Sequence, residues 1–356
     1  LSSFRRDRAW QPAAALCVAL GVLSGCAGDG YYRQSIAGEV DMMRSREDIA
    51  KAIADPSTPA DLRRQLELVT QLVDFAVSRL ALPDNGSYRS FVEIDRNYVV
   101  WNVIAAPPLS LDPVEWCFPV VGCVAYRGYF AEADAEAFAD SLRAQGLDVV
   151  VSGAAAYSTL GWFDDPVPTT ILFDPDYALA RTIFHELAHQ RVYIQDDSTF
   201  NESYAVAVEE AAVELWLSEN GDAAMRAAYR RDEDRYQQFL ALVLSAQAEL
   251  RDLYQSGLGE EAMLARKQAL FDGLRADYAR LKSSWGGYSG YDRWFATDLN
   301  NAKLALMATY TAYVGAFKAM LADSGGDWAA FHAAVEVLSE QSAAERAAIL
   351  EGFAAR

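Results

Sequence analysis

Basic side chains are in short supply. Against 50 Asp and Glu the chain sets 31 Lys and Arg, a formal charge of −19 over 356 residues. A protein that tracks a phosphate backbone needs a positive face, so this deficit argues against nucleic acid as a partner and fits an acidic, solvated surface. Cysteine is scarcer, at four. Cys17 and Cys26 lie near the start, which leaves Cys117 and Cys123 as the only pair in the body of the chain. No His or further Cys stands beside that pair, so two thiolates there make a poor metal site. Internal repeats and low-complexity linkers are missing too, which argues for one domain after the leader, at residues 26–356. Histidine is the rarest of the chemically useful residues, at three.

What is present in quantity is apolar. Hydrophobic residues make up 52% of the chain, ample for a sizeable core. The first 25 residues read as an address: Arg5, Arg6 and Arg8 precede a short apolar run, Pro12 to Leu23, too short to span a bilayer. Leu23-Ser-Gly-Cys26 resembles the lipobox of bacterial lipoproteins, which implies cleavage before Cys26 and a lipid on its thiol. Ala27 is similar to what outer-membrane sorting tolerates. The alternatives are a plain signal peptide or a short membrane anchor. Leu1 stands where Met is expected, which reads as a non-standard start codon taken literally. Export to an oxidising compartment makes a Cys117–Cys123 disulfide the expected product, with Pro119 and Gly122 supplying the turn.

Periodicity predicts an α+β fold that is mainly helical, with a small sheet preceding a helical half. Residues 40–80 carry apolar positions at helical spacing, broken at Asp55-Pro-Ser-Thr-Pro59. Strands are predicted at Tyr98 to Ile104, Val120 to Tyr126, Asp148 to Ser152 and Thr169 to Phe173, with a helix over Ala131 to Gln145. After Pro175 the predicted helices are Tyr177 to Tyr193, Phe200 to Asn220, Ala223 to Ser256, Glu260 to Ser283, Ala296 to Asp323, Trp328 to Ser339 and Ala343 to Phe353.

Two of the three histidines fall in His185-Glu186-Leu-Ala-His189. On a helix, positions four apart share a face, so both imidazoles can reach one ion while Glu186 projects beside them toward a bound water. Zinc suits neutral imidazoles and lowers the pKa of its water, whose proton Glu186 can take. A catalytic zinc needs a third protein ligand. Asp196-Asp-Ser198 turns the chain, and a second helix can then run back with Glu202 in its first turn. Rival readings are a capping box in which Glu202 merely bonds the Thr199 backbone, and Glu209 as the third ligand. Glu210 and Glu214 read as second-rank acids, and His332, beside Phe331, as a packing residue.

With those residues in view, the chain resembles a family of bacterial predicted aminopeptidases within the gluzincins. The likeness runs from about Tyr31 to Leu321 and is carried by Val100 to Pro107 (VWNVIAAP), Trp116 to Phe130 (WCFPVVGCVAYRGYF), Ala156 to Pro166 (AYSTLGWFDDP), Phe184 to Gln190 (FHELAHQ), Phe200 to Ala205 (FNESYA) and Tyr291 to Leu304 (YDRWFATDLNNAKL). It implies a zincin-like fold, peptide substrates, one zinc ion and Glu202 as third ligand, although Glu209 matches the spacing of thermolysin-like enzymes better. An extended peptide would add to an edge strand in the Tyr157 to Thr170 region. Tyr157, Tyr291, Asn301 and Tyr310 are the candidate oxyanion donors or substrate contacts. Arg127 would bind a carboxylate or pair with a surface acid, and Glu209 or Glu210 would receive the substrate amine. The expected protein is therefore a zinc aminopeptidase, lipid-anchored through Cys26 in the bacterial cell envelope and facing the periplasm. The alternatives are an endopeptidase of envelope quality control and a non-catalytic zinc-binding lipoprotein.

Overall fold

The structure, a computed structural model, describes residues 29–118, 122–297 and 299–354. The leader with Cys17 and Cys26 lies outside the described residues, as does Pro119. The first half of the chain alternates short strands with helices: α1 Asp29–Ser45, β1 Glu47–Asp48, α2 Ile49–Ala54, α3 Ala60–Leu80, β2 Ser90–Val92, β3 Val100–Ala106, β4 Trp116–Phe118, β5 Gly122–Val124, β6 Arg127–Tyr129, α4 Glu132–Arg143, β7 Asp148–Ala154 and β8 Val167–Pro168. The second half is helical among the described residues: α5 Thr169–Leu172, α6 Asp176–Arg191, α7 Ser198–Asn220, α8 Ala223–Tyr254, α9 Glu260–Ser284, α10 Asp292–Ala296, α11 Asn301–Thr311, α12 Val314–Asp323, α13 Trp328–Ser339 and α14 Ala343–Ala354. The mainly helical α+β architecture is the one expected.

β3 shows why a sheet forms before the helices. Its residues alternate: Trp101, Val103 and Ala105 pack with Ala135 and Ala139 of α4, while Ile104 and Ala106 meet Ala302 of α11 on the other face. β3 lies between β6 and β7, antiparallel to both. A second sheet, in the order β1-β2-β8, holds the start of α5. β4 and β5 form a separate hairpin with Cys117 opposite Cys123, and their sulfurs are bonded.

The main core gathers Leu66, Val69, Leu72 and Val73 of α3 against Leu179, Ile183, Phe184 and Leu187 of α6 and Phe200, Tyr204 and Val208 of α7. These spacings of three and four place one apolar face on α3, but α7 is buried nearly all round. The long α8 and α9 pair through a smaller cluster of their own around Val243, Leu250 and Phe271.

Two predicted elements take another form. Thr169 to Phe173, expected as a strand, is a short helix, and only Val167–Pro168 pairs with β2. Pro168 has no N–H with which to extend the ladder. The Thr169 hydroxyl accepts instead from the Ile94 amide at 2.9 Å, and the Thr170 hydroxyl donates to Ala155 O. Ala296 to Asp323, expected as one helix, is broken twice. Thr297 is extended and Asn300 caps α11 by accepting from Lys303 N. At the second break the Tyr313 amide donates to Ser203 Oγ of α7 at 3.1 Å, so a tertiary acceptor serves it.

Candidate metal centre and its pocket

α6 carries the motif close to its C-terminal end, and α7 returns from the turn at residues 192–197. That turn is pinned from several sides. Asn201 clamps Ile194, accepting from its N–H at 2.8 Å and donating to its carbonyl at 2.7 Å. Asp196, at φ 64°, accepts from the Cys123 amide at 2.6 Å, and the Cβ that Gly122 lacks would stand 2.5 Å from the same carboxylate. Asp197 caps α7 by accepting from Phe200 N, and its other oxygen holds Arg346. Because Asp197 is the cap, Glu202 has no capping duty, and the capping-box reading is corrected.

The helix pair brings His185, His189 and Glu202 together, with one potential ligand atom from each inside a mutual 4.8 Å. The two Nε2 atoms are 3.0 Å apart, and Glu202 Oε2 lies 3.4 and 3.5 Å from them. Glu209 does not join this group. It accepts from the opposite nitrogen of His185, Nδ1, at 2.8 Å, and its second oxygen accepts from Arg181 Nε at 2.6 Å. A proton held on Nδ1 leaves the Nε2 lone pair directed at His189 and Glu202. Glu209 thus orients a candidate ligand, and Arg181 orients Glu209.

Charge follows the same logic. Burial pushes the Glu202 carboxyl up, but the imidazoles of His189 and His185 outweigh it and bring it down to about 2. Burial opposes charge on His185, yet Glu209 and then Glu202 raise its pKa. For Glu209, burial is overcome by Arg181 and then His185, and its pKa falls. Burial raises Glu186, which makes it a stronger base than a solvated carboxylate. The site is organised around positive charge.

The centre opens into a cavity of about 430 Å³, within the range of small-ligand sites. His185, Glu186, His189, Glu202 and Tyr310 line it, with Asn102, Gly128 and Ala154 contributed by the sheet. Of the four contacts expected from sequence, Tyr310 and Tyr157 reach this cavity. Tyr310 is raised first by the Glu202 carboxylate and then by burial, so it stays a proton donor. Tyr157 donates to Glu39. The other two are corrected. Tyr291 stacks on Phe239 in the α8–α9 cluster, with ring centroids 4.3 Å apart. Asn301 is buried, donates to the carbonyls of Pro107, Pro108 and Ser110, and accepts from the Tyr254 hydroxyl, which makes it a structural clamp.

Arg127 takes neither expected role: its guanidinium packs over Tyr31 at 4.0 Å and Phe138 at 4.6 Å. Glu210 is turned away to Lys318, and His332 is a core residue between Tyr204 and Leu80 O. The expected edge strand at Tyr157 to Thr170 is mostly loop, with Leu160 and Gly161 at positive φ; β7, an edge strand of the β6-β3-β7 sheet, reaches the cavity at Ala154. Sequence reasoning missed Glu39, Tyr126 and Tyr193, all of which line the cavity. Tyr193 is pushed up to about 12 by burial and by Glu202.

A two-histidine, one-carboxylate centre on paired helices, in a cavity beside a small sheet, defines the chain as an α+β protein with a candidate metal site. Residues 30–350 match the model of the family described as "putative aminopeptidase", and the chain belongs to that family. No curated protein and no solved structure matches the chain.

Proposed function

We propose that the protein is a zinc-dependent aminopeptidase of the gluzincin, zincin-like kind, acting on peptides. The observation that carries this reading is the convergence of His185, His189 and Glu202 with Glu186 beside them in one cavity. The donor set fits the ion. Glu202 Oε2 is shielded from solvent, has no well-formed hydrogen bond, and faces the Nε2 atoms of both imidazoles, of which that of His185 is left free to donate its lone pair by the Glu209 contact on Nδ1. Two neutral imidazoles and a carboxylate make up a catalytic zinc set, with a coordination position left for water.

When bound, the ion would polarise the peptide carbonyl and acidify its water. Glu186, a carboxylate raised by burial, would be the base that accepts a proton from the attacking water and returns it to the leaving amine. The Tyr310 phenol, held protonated by Glu202 and by burial, is the donor for the developing oxyanion. Among the described residues no Lys or Arg lines the cavity, so neither an ammonium nor a guanidinium there would meet a substrate's C-terminal carboxylate. That favours the amino end of a peptide. The Leu-Ser-Gly-Cys26 sequence supports a lipid anchor on Cys26 and a place in the bacterial cell envelope, on the periplasmic side of the outer membrane.

Elemental analysis of residues 27–356 should find one zinc per chain. Chelation should remove peptide hydrolysis and added zinc should restore it. Glu186→Gln should lower kcat by roughly 10³-fold with zinc retained; metal-bound protein on which that variant has no effect would reject the reading.

A further inference from the structure

Among the described residues three carboxylates line the cavity: Glu39, Glu186 and Glu202. Glu202 belongs to the metal group and Glu186 to the water, which leaves Glu39 unused. Neither acid expected from sequence to meet the amine is free to do so, since Glu209 is held by His185 and Arg181, and Glu210 by Lys318. Asp165, nearby, is saturated: it accepts from the Thr159 amide and hydroxyl, from Ser158 and from Gln190. Glu39 has one hydrogen bond, from the Tyr157 hydroxyl, and no ion pair among the described residues.

α1 is built to hold Glu39 in place. Tyr31, Ser35 and Glu39, each four residues from the last, turn one face of the helix to the cavity. The helix is fixed to β6 by Gln34, which accepts from the Phe130 amide at 3.0 Å and donates to Gly128 O at 3.3 Å. Gly38 sits flat on the Phe130 ring, where a Cβ would come within 2.2 Å of it. The Tyr157 ring packs edge-on to the same Phe130. A carboxylate fixed in this way, on a cavity wall that carries no Lys or Arg among the described residues and whose two histidines face Glu202, is complementary to an ammonium group. A peptide's α-amine is such a cation near neutral pH. Burial, with Asp165 adding to it, raises the Glu39 pKa, the condition a bound cation would relieve.

We infer that Glu39 is the residue that binds the free α-amine of the substrate and so confines cleavage to the amino end of peptides. This rests on the peptidase reading above. It assigns the selecting group to the first helix of the described chain, about 150 residues before the metal motif.

The test compares free-amine peptides with their N-acetylated counterparts on the zinc-loaded protein, and measures leucine amide binding by calorimetry. The wild type should prefer the free amine, and Glu39→Gln should shrink that preference by about a hundredfold, chiefly through KM, with zinc content and melting temperature kept. Leucine amide binding should weaken in parallel, and Glu39→Asp should restore part of both. Equal loss on both substrates would mark Glu39 as a structural strut and overturn the inference, as would an unchanged preference. If the wild type cleaves neither substrate, the peptidase reading fails, and calorimetry with Glu39→Asp and Glu39→Gln still decides whether Glu39 holds an amine.

Discussion

Two helical pairs in the same chain treat charge in opposite ways. In α6–α7, 14 of the 23 residues of α7 are buried, and Glu209 and Glu210 are among them. In α8–α9, eight of the 32 residues of α8 are buried; its Asp232 and Glu233 keep partial solvent contact while meeting Tyr177 and Arg181 of α6, and on α9 Asp272 sits in a solvated i,i+3 pair with Arg275. A carboxylate taken out of water is tolerated only with a partner of suitable charge. Each buried acid of α7 therefore names its partner, whereas an exposed acid of α9 such as Asp272 names nothing beyond solubility. Burial, more than the count of acids, marks where the chemistry lies.

The largest expected effect separates two acids on α7 itself. Glu202→Ala should weaken zinc binding by more than about a hundredfold, and Glu209→Ala by about ten- to a hundredfold, because the first removes a ligand and the second the group that orients one. Competition with a chelator measures both, and a larger loss for Glu209→Ala would exchange the two roles. The next effect compares a buried residue that has no acid beside it. His332 is fully buried, donates from Nε2 to Leu80 O and accepts on Nδ1 from Tyr204, and burial pushes its pKa down to about 4. The unfolded chain takes up a proton near pH 6.5 that the folded chain refuses until about pH 4. Stability should thus fall by about 3 kcal/mol as pH drops through that window. Denaturant melts at pH 7 and pH 4 should show a smaller acid loss in His332→Gln than in the wild type. The smallest effect belongs to α9: Arg275→Ala, whose partner Asp272 is mostly exposed, should shift stability by less than about 0.5 kcal/mol in a urea melt.

The same contrast explains what could be read beforehand. Helix positions in the second half follow from apolar spacing, a local property, and α7, α8, α9 and α13 lie within two residues of expectation at each end. The metal motif was legible because His185 and His189 are one turn apart and histidine is otherwise almost missing. Glu202 was legible as the acid after a turn. What failed depended on distant partners. Asn301 looks like a site amide until the carbonyls of Pro107, Pro108 and Ser110 meet it, and Tyr291 like a phenol donor until Phe239 stacks on it. The second break in the Ala296 to Asp323 helix needs Ser203, over 100 residues earlier. Glu39 stands in an ordinary amphipathic helix, with no local pattern to single it out.

The hairpin closed by Cys117 and Cys123 reaches across to hold Asp196, in the turn between the two ligand-bearing helices. Anyone hoping to graft those helices into another scaffold would carry over the candidate donor atoms and leave behind the brace that fixes their spacing. The wall residues run from Tyr31 to Tyr310, so no short contiguous excerpt of the chain carries the whole cavity, and a cut in the first third would part Glu39 from the candidate metal group.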